Sequence, residues 1–288
     1  MATDTLNDGD AGCVAGGAAG SDLRAAWFEP MRRWALHSDP RVAGRIEIAL
    51  LNRFAAERRL HTEDGLPLRF VDAGQAPVGA YELVIRDTGA VPTRVRGAGM
   101  LHDWFNALAW LAFPRIKARL NRLHADAVAA AAGAAAAGAA ANQGRRGALR
   151  DAATVFDESG ALFVCRDASL RASLRCRDWH GLFVDGRARF ADAATVCVVG
   201  HGVCEKLLSP YKALCAHAWI VELEPDLSLL RCGDALDAAV AAQLMPDALR
   251  TARLCPLPLL GVPGWWPANA DPAFYDDASV FRSRPRSA

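Results

Sequence analysis

The stretch LHDWFNALAWLAFPRIKARLNRLH, from Leu101 to His124, most constrains what this chain can fold into, because it is both the most apolar segment and the most sharply patterned. Read as a helix from about Gly99 to Ala112, its first half sets Leu101, Trp104, Phe105, Leu108 and Leu111 on one broad face. His102 and Asn106, one helical turn apart, share the other side. Trp110 and Phe113 flank that pair, so the helix should be wrapped by protein nearly all round, with both polar groups at least half-buried. Pro114 cannot continue the helix without losing a hydrogen bond, and its fixed φ suits the first turn of a second helix. In that second helix Ile116, Leu120 and Leu123 form the core stripe, Arg115, Arg119 and Arg122 an outer basic stripe, and Lys117, Asn121 and His124 a third stripe between them. Five polar groups thus meet the edge of one core. Buried polar groups without partners are costly, so they either satisfy one another and nearby loops or line a common site.

Composition sets the outer bounds. Of 288 residues 52% are hydrophobic, ample for a core, so the chain is a globular protein of one large domain or two small ones. Lysine and arginine number 33 against 32 acidic residues, which offers no overall field to draw the chain to nucleic acid or to an acidic membrane. No apolar run approaches the roughly 18 residues of a membrane helix. The start, MATDTLNDGDAGC, lacks the basic cluster of an export signal. With no CxxC pair among them, the eight cysteines read as reduced thiols of a cytoplasmic protein, most of them small hydrophobes in apolar runs.

Around the central pair, residues 1–20 read as a disordered tail of Gly, Ala and Asp, and 285–288 as a short C-terminal tail. Asp22 can cap a short helix carrying Trp27, Phe28 and Trp34, and Asp39-Pro40 can open another with Ile46, Leu50 and Phe54. Strands are expected near 68–71, 81–86, 154–156, 161–165, 195–199 and 217–223, with Asp157-Glu158-Ser159-Gly160 as a hairpin turn. The Ala/Gly-rich run at 126–148 reads as an insertion that lengthens the second central helix and then frays. The end, PLPLLGVPGWWPANADPAFYDDASVFR, holds too many prolines for regular structure, yet its aromatics need cover. It should wrap over the body as an ordered extended arm. The expected fold is α+β: one helix-dominated domain, 21–284, with a small sheet and a Pro/Trp-rich C-terminal arm.

The segments VPTR at Val91, HDWFNALAWLAFPRIKARLN at His102, RDAATVFDESGALFV at Arg150, GHGVCEKLLSPY at Gly200 and the C-terminal arm from Pro256 together resemble a family of uncharacterised, chiefly proteobacterial proteins known as a domain of unknown function. The resemblance covers about Trp27 to Arg282. It implies a single-domain bacterial protein and brings no activity, cofactor or catalytic residue with it.

Two functions fit these residues. One is a metal-assisted or acid-base hydrolase acting on a small or phosphorylated substrate. There His102, Lys117 and Glu205 would be catalytic, and Arg94, Asn106, Asn121 and His124 would hold the ligand. A divalent metal would take His102, His201 and Glu205, since a strand ending at Gly200 delivers His201 and the helix after it puts Glu205 one turn further on. Asp151, Asp157 and Glu158 offer further carboxylates. No HExxH, GxSxG or Walker spacing is present. The other function is a non-catalytic ligand-binding or regulatory module, in which the polar helix pair recognises a small molecule.

Overall fold

A 3-10 turn at Ala26–Met31 is the first element and leads into α1 (Arg32–Ser38), α2 (Pro40–Ala43) and α3 (Ile48–Glu57) in the computed structural model, which describes residues 22–136, 143–221 and 233–283. Asp39 caps α2 by accepting from the Arg41 N–H, as its place before Pro40 suggests. β1 (Arg69–Asp72), α4 (Tyr81–Thr88) and β2 (Ala90–Thr93) follow, with β1 and β2 paired in parallel.

α5 (Met100–Ala112) and α6 (Pro114–Ala136) meet at the expected corner. Every residue of α5 from Trp104 to Ala112 is buried, so this helix is enclosed on all sides rather than laid on a core. Asp237 caps α6 from a distant helix. Its two carboxylate oxygens accept the Arg115 and Ile116 N–H groups, each at 2.9 Å, and satisfy donors that a helix start leaves open.

α7 (Gln143–Ser159) runs directly into β3 (Gly160–Cys165), which is buried along its whole length. Then come α8 (Ala168–Cys176), α9 (Trp179–Phe183), α10 (Arg187–Ala193), β4 (Ala194–Val198), α11 (His201–Lys206), β5 (Cys215–Val221), α12 (Asp234–Gln243) and β6 (Cys255–Pro258). The second sheet has the order β4-β3-β5-β6, with β3 and β5 parallel and both outer strands antiparallel to their neighbours. One continuous core cluster runs from Leu23 to Phe281. The fold is therefore the expected α+β domain, and among the described residues no helix is long and apolar enough to cross a membrane.

Two expected strands are helices. Residues 81–86 lie in α4, where Tyr81, Val84, Ile85 and Thr88 make the helical spacing and Val84 and Ile85 are buried. Residues 154–156 lie in α7, where Leu149, Ala152, Ala153 and Phe156 turn one face inward. The supposed turn at Asp157 to Ser159 is the last turn of that helix. Val91 to Thr93, outside the expected strands, lie in strand β2. Cys197 is disulfide-bonded, against the expectation of reduced thiols throughout, a pairing that local spacing does not reveal. Cys165, Cys176, Cys204 and Cys215 keep free thiols.

The C-terminal arm is ordered by side-chain bonds more than by regular structure. Asn269 donates to the Leu260 and Val262 carbonyls, at 2.8 and 2.7 Å, and the Tyr275 hydroxyl donates to the Gly261 carbonyl at 2.8 Å. Its aromatics pack edge-on against Trp27 and Trp179 and tilted against Phe183. Of the expected insertion, 126–136 extend α6 and 143–148 begin α7. Residues 137–142 and the expected tails, 1–20 and 285–288, lie outside the described residues.

Candidate metal centre

The antiparallel pairing of β3 with β4 builds the site. Because Ala161 faces Val198, the start of β3 lies beside the end of β4, and the last turn of α7 lies beside the first turn of α11. Val199 and Gly200 both donate to the Gly160 carbonyl, at 3.0 and 2.8 Å. Such close approach needs glycine, since a Cβ at Gly200 would lie 2.5 Å from the Gly160 nitrogen. Gly202 serves in the same way, for its missing Cβ leaves room for a Glu158 carboxylate oxygen. Glu158 of α7, His201 of α11 and His102 of α5, which packs along α11, are thereby brought together.

Three atoms converge. His102 Nε2 and His201 Nε2 are 3.1 Å apart, His201 Nε2 is 3.4 Å from Glu158 Oε1, and His102 Nε2 is 3.7 Å from the same oxygen. A point equidistant from such a triangle lies about 2 Å from each corner, the bond length of zinc or a similar cation to nitrogen and oxygen. Behind each imidazole stands a carboxylate. His102 Nδ1 meets Glu205 Oε2 at 3.3 Å, and His201 Nδ1 faces Asp157 Oδ2 at 3.7 Å. A proton on His102 Nδ1 would meet Glu205 and leave Nε2 able to serve as a ligand.

Glu205 therefore does not stand where a third ligand would. Expected there with His102 and His201, it sits on the opposite nitrogen of His102, and Glu158 fills the third corner. The reason is topological. The turn from His201 to Glu205 carries the carboxylate along α11 past the ring, whereas the strand pairing presents Glu158 head on.

Charge tells the same story. Glu158, Glu205 and Asp157 bring three negative charges against the one positive charge of Lys117, and a cation among them would offset the excess. Burial pushes the Asp157 carboxyl up, but the Lys117 and His201 charges and the Lys117 hydrogen bond outweigh it and hold its pKa at about 2. The hydrogen bond with His201 keeps Glu158 below the usual carboxylate range against its partial burial.

The triangle opens on a cavity of about 320 Å³ lined by residues from α4, β2–α5, α6 and α7. His102, Asn106, Lys117, Asn121, His124, Arg94 and His201 all reach it, so the polar groups of the two central helices do share one chamber. Their roles differ from expectation at two places. Lys117, 3% exposed, is paired with Asp157 and holds that carboxylate rather than offering a free charge. Arg94 is clamped on Asp103 at 2.6 and 2.9 Å and is likewise engaged. Asn121 donates to the Glu82 carbonyl at 3.3 Å, and burial lowers the pKa of His124, whose Nδ1 has no hydrogen-bond partner.

Tyr81 and Glu82 also line the cavity and were not singled out, because a strand at 81–86 would have scattered them to opposite faces. The Tyr81 hydroxyl accepts from the Asn106 amide at 2.7 Å, and burial pushes its pKa far up. The helical spacing of Tyr81, Val84, Ile85 and Thr88 was the available signal.

No curated protein and no solved structure matches the chain. A family model described as a protein of unknown function, DUF3025, matches residues 68–285, a span that holds every residue of the triangle, of its carboxylate backing and of the cavity wall. The chain belongs to the DUF3025 family.

Proposed function

We propose that this protein is a metal-assisted hydrolase acting on a small molecule held in the cavity beside His102, His201 and Glu158. One observation carries the proposal: three ligand atoms lie within 4.8 Å of one another, with a carboxylate behind each imidazole, at the mouth of a cavity. A purely structural site closes all its coordination positions with protein, whereas three protein ligands facing open space leave one for water or substrate. The even charge of the chain also favours a small ligand over nucleic acid.

A divalent cation there would supply Lewis acidity, polarising a substrate oxygen and acidifying water. The chain's own residues do the rest. His102 and His201 would hold the cation through their Nε2 atoms and Glu158 through one carboxylate oxygen, a ligand set that would leave it net positive charge. Glu205 holds the His102 ring in place. Lys117 fixes Asp157, whose carboxylate lies 3.7 Å from His201 Nδ1 without a hydrogen bond to it. Trp110, beneath Lys117, closes the floor with apolar surface and keeps water from that ion pair.

The test is hydrolysis of a panel of activated esters, amides and phosphate esters by protein stripped with chelator and reloaded with one equivalent of zinc or manganese. Activity that appears on reloading and is lost in His201→Ala supports the proposal. Activity indifferent to chelator and to His201→Ala contradicts it.

A further inference from the structure

The wall of the cavity away from the triangle is built for a ligand with hydrogen-bond donors and no negative charge. Both cations that reach the cavity are occupied, Arg94 by Asp103 and Lys117 by Asp157, so a phosphate or carboxylate would find no free positive partner away from the metal position. Desolvation lowers the pKa of His124 and raises that of the Tyr81 hydroxyl, so neither is shifted toward its charged form.

What remains is rich in acceptors. Glu82 lines the cavity half-buried and makes no ion pair among the described residues. Asn106 is 7% exposed, and its Oδ1 has no hydrogen-bond partner although its amide nitrogen is bound to Tyr81. The Tyr81 oxygen adds another acceptor beside it. A buried carbonyl oxygen left without a donor costs about 1–3 kcal/mol, so this wall is incomplete as it stands. An ammonium group has three N–H donors and no acceptor, and complements a carboxylate, an amide oxygen and a phenol oxygen together.

We infer that the substrate is a small amide or ester bearing a protonated amino group, with its carbonyl at the metal position and its ammonium against Glu82, Asn106 and Tyr81; this rests on the hydrolase proposed above. The cavity, at about 320 Å³, is near the lower bound for small-molecule sites and suits a compound the size of an amino-acid derivative. Phosphate esters are disfavoured by the same charges that favour the amine.

Three hydroxamates of matched length test this on the zinc-loaded full chain by isothermal titration: 4-aminobutyrohydroxamate, butyrohydroxamate and succinic monohydroxamate. All three share the metal-binding group and differ only in tail charge. The ammonium compound should bind at least tenfold tighter than the neutral one, and the carboxylate compound weaker than either. Glu82→Gln should erase the ammonium preference while leaving butyrohydroxamate within twofold. Equal binding of the three, a preference for the carboxylate, or a preference that survives Glu82→Gln overturns the inference and leaves the hydrolase standing. Failure of the chain to take up zinc overturns both.

Discussion

Asp237→Asn should change how stability depends on pH, because Asp237 is a fully buried carboxyl that caps α6, the helix carrying Lys117, Asn121 and His124. Burial, only partly offset by the Ile116 and Arg115 N–H groups, raises its pKa from 3.8 to about 6. A folded pKa above the unfolded value means that the native state binds the proton more tightly. The stabilisation is therefore full below about pH 3.8 and is lost as pH rises through 6. At 1.36 kcal/mol per unit the whole effect is about 3 kcal/mol, of which about 2 kcal/mol remains at pH 4.5 and almost none at pH 7.5. Asparagine does not titrate, so the stability gap between wild type and Asp237→Asn, measured by urea unfolding, should shrink by about 2 kcal/mol between those two pH values. Asparagine also has one acceptor oxygen where the carboxylate has two, which adds a pH-independent loss of about 1 kcal/mol. A gap that stays constant or widens with pH would show that the buried carboxylate is favoured as the anion, and the reasoning would be wrong.

The remaining predictions concern the site. Glu205→Gln should retain one metal per chain but weaken it 10- to 100-fold, the usual effect of removing a carboxylate behind a ligating histidine, as a competing chelator would report. Gly200→Ala should destabilise the fold by about 1–3 kcal/mol in urea, since its Cβ would press on the backbone of Ser159 and Gly160. Gly202→Ala should cost less in urea than Gly200→Ala, because its closest contact is the movable end of Glu158 and only the Glu158 carbonyl, at 3.1 Å, presses from the backbone, yet it should weaken metal binding at least tenfold by turning that ligand away.

The central helices were legible because their signals are local. Pro114 marks a corner by its own geometry, and Trp104 to Leu111 repeat often enough for only one period to fit. That legibility extended to His102, Asn106, Lys117, Asn121 and His124 as neighbours, since helical spacing alone sets them along adjoining faces. Glu158 was harder to place, although it stood among the available carboxylates. Thr154 and Val155 are β-branched, and Asp157-Glu158-Ser159-Gly160 has turn composition, so the local preference pointed to a hairpin. Burial of Ala152, Ala153 and Phe156 overrode it. The short alternation from Tyr81 to Arg86 fits a strand and a helix about equally well, and packing of Val84 and Ile85 decided it. The assignment of Glu205 rather than Glu158 to the histidines shows the limit of spacing. A partner four residues away is visible in sequence, and one delivered by the antiparallel register of β3 and β4 is not.

The most direct measurement is a zinc titration of metal-stripped protein with a competing chromophoric chelator, on wild type and on His102→Ala, His201→Ala and Glu158→Ala, with circular dichroism to show that each variant is folded. One zinc should bind per wild-type chain, and each substitution should weaken it by at least a hundredfold while the fold is retained. No stoichiometric binding by wild type, or binding that persists in a folded His102→Ala/His201→Ala double variant, would contradict a metal centre at these residues.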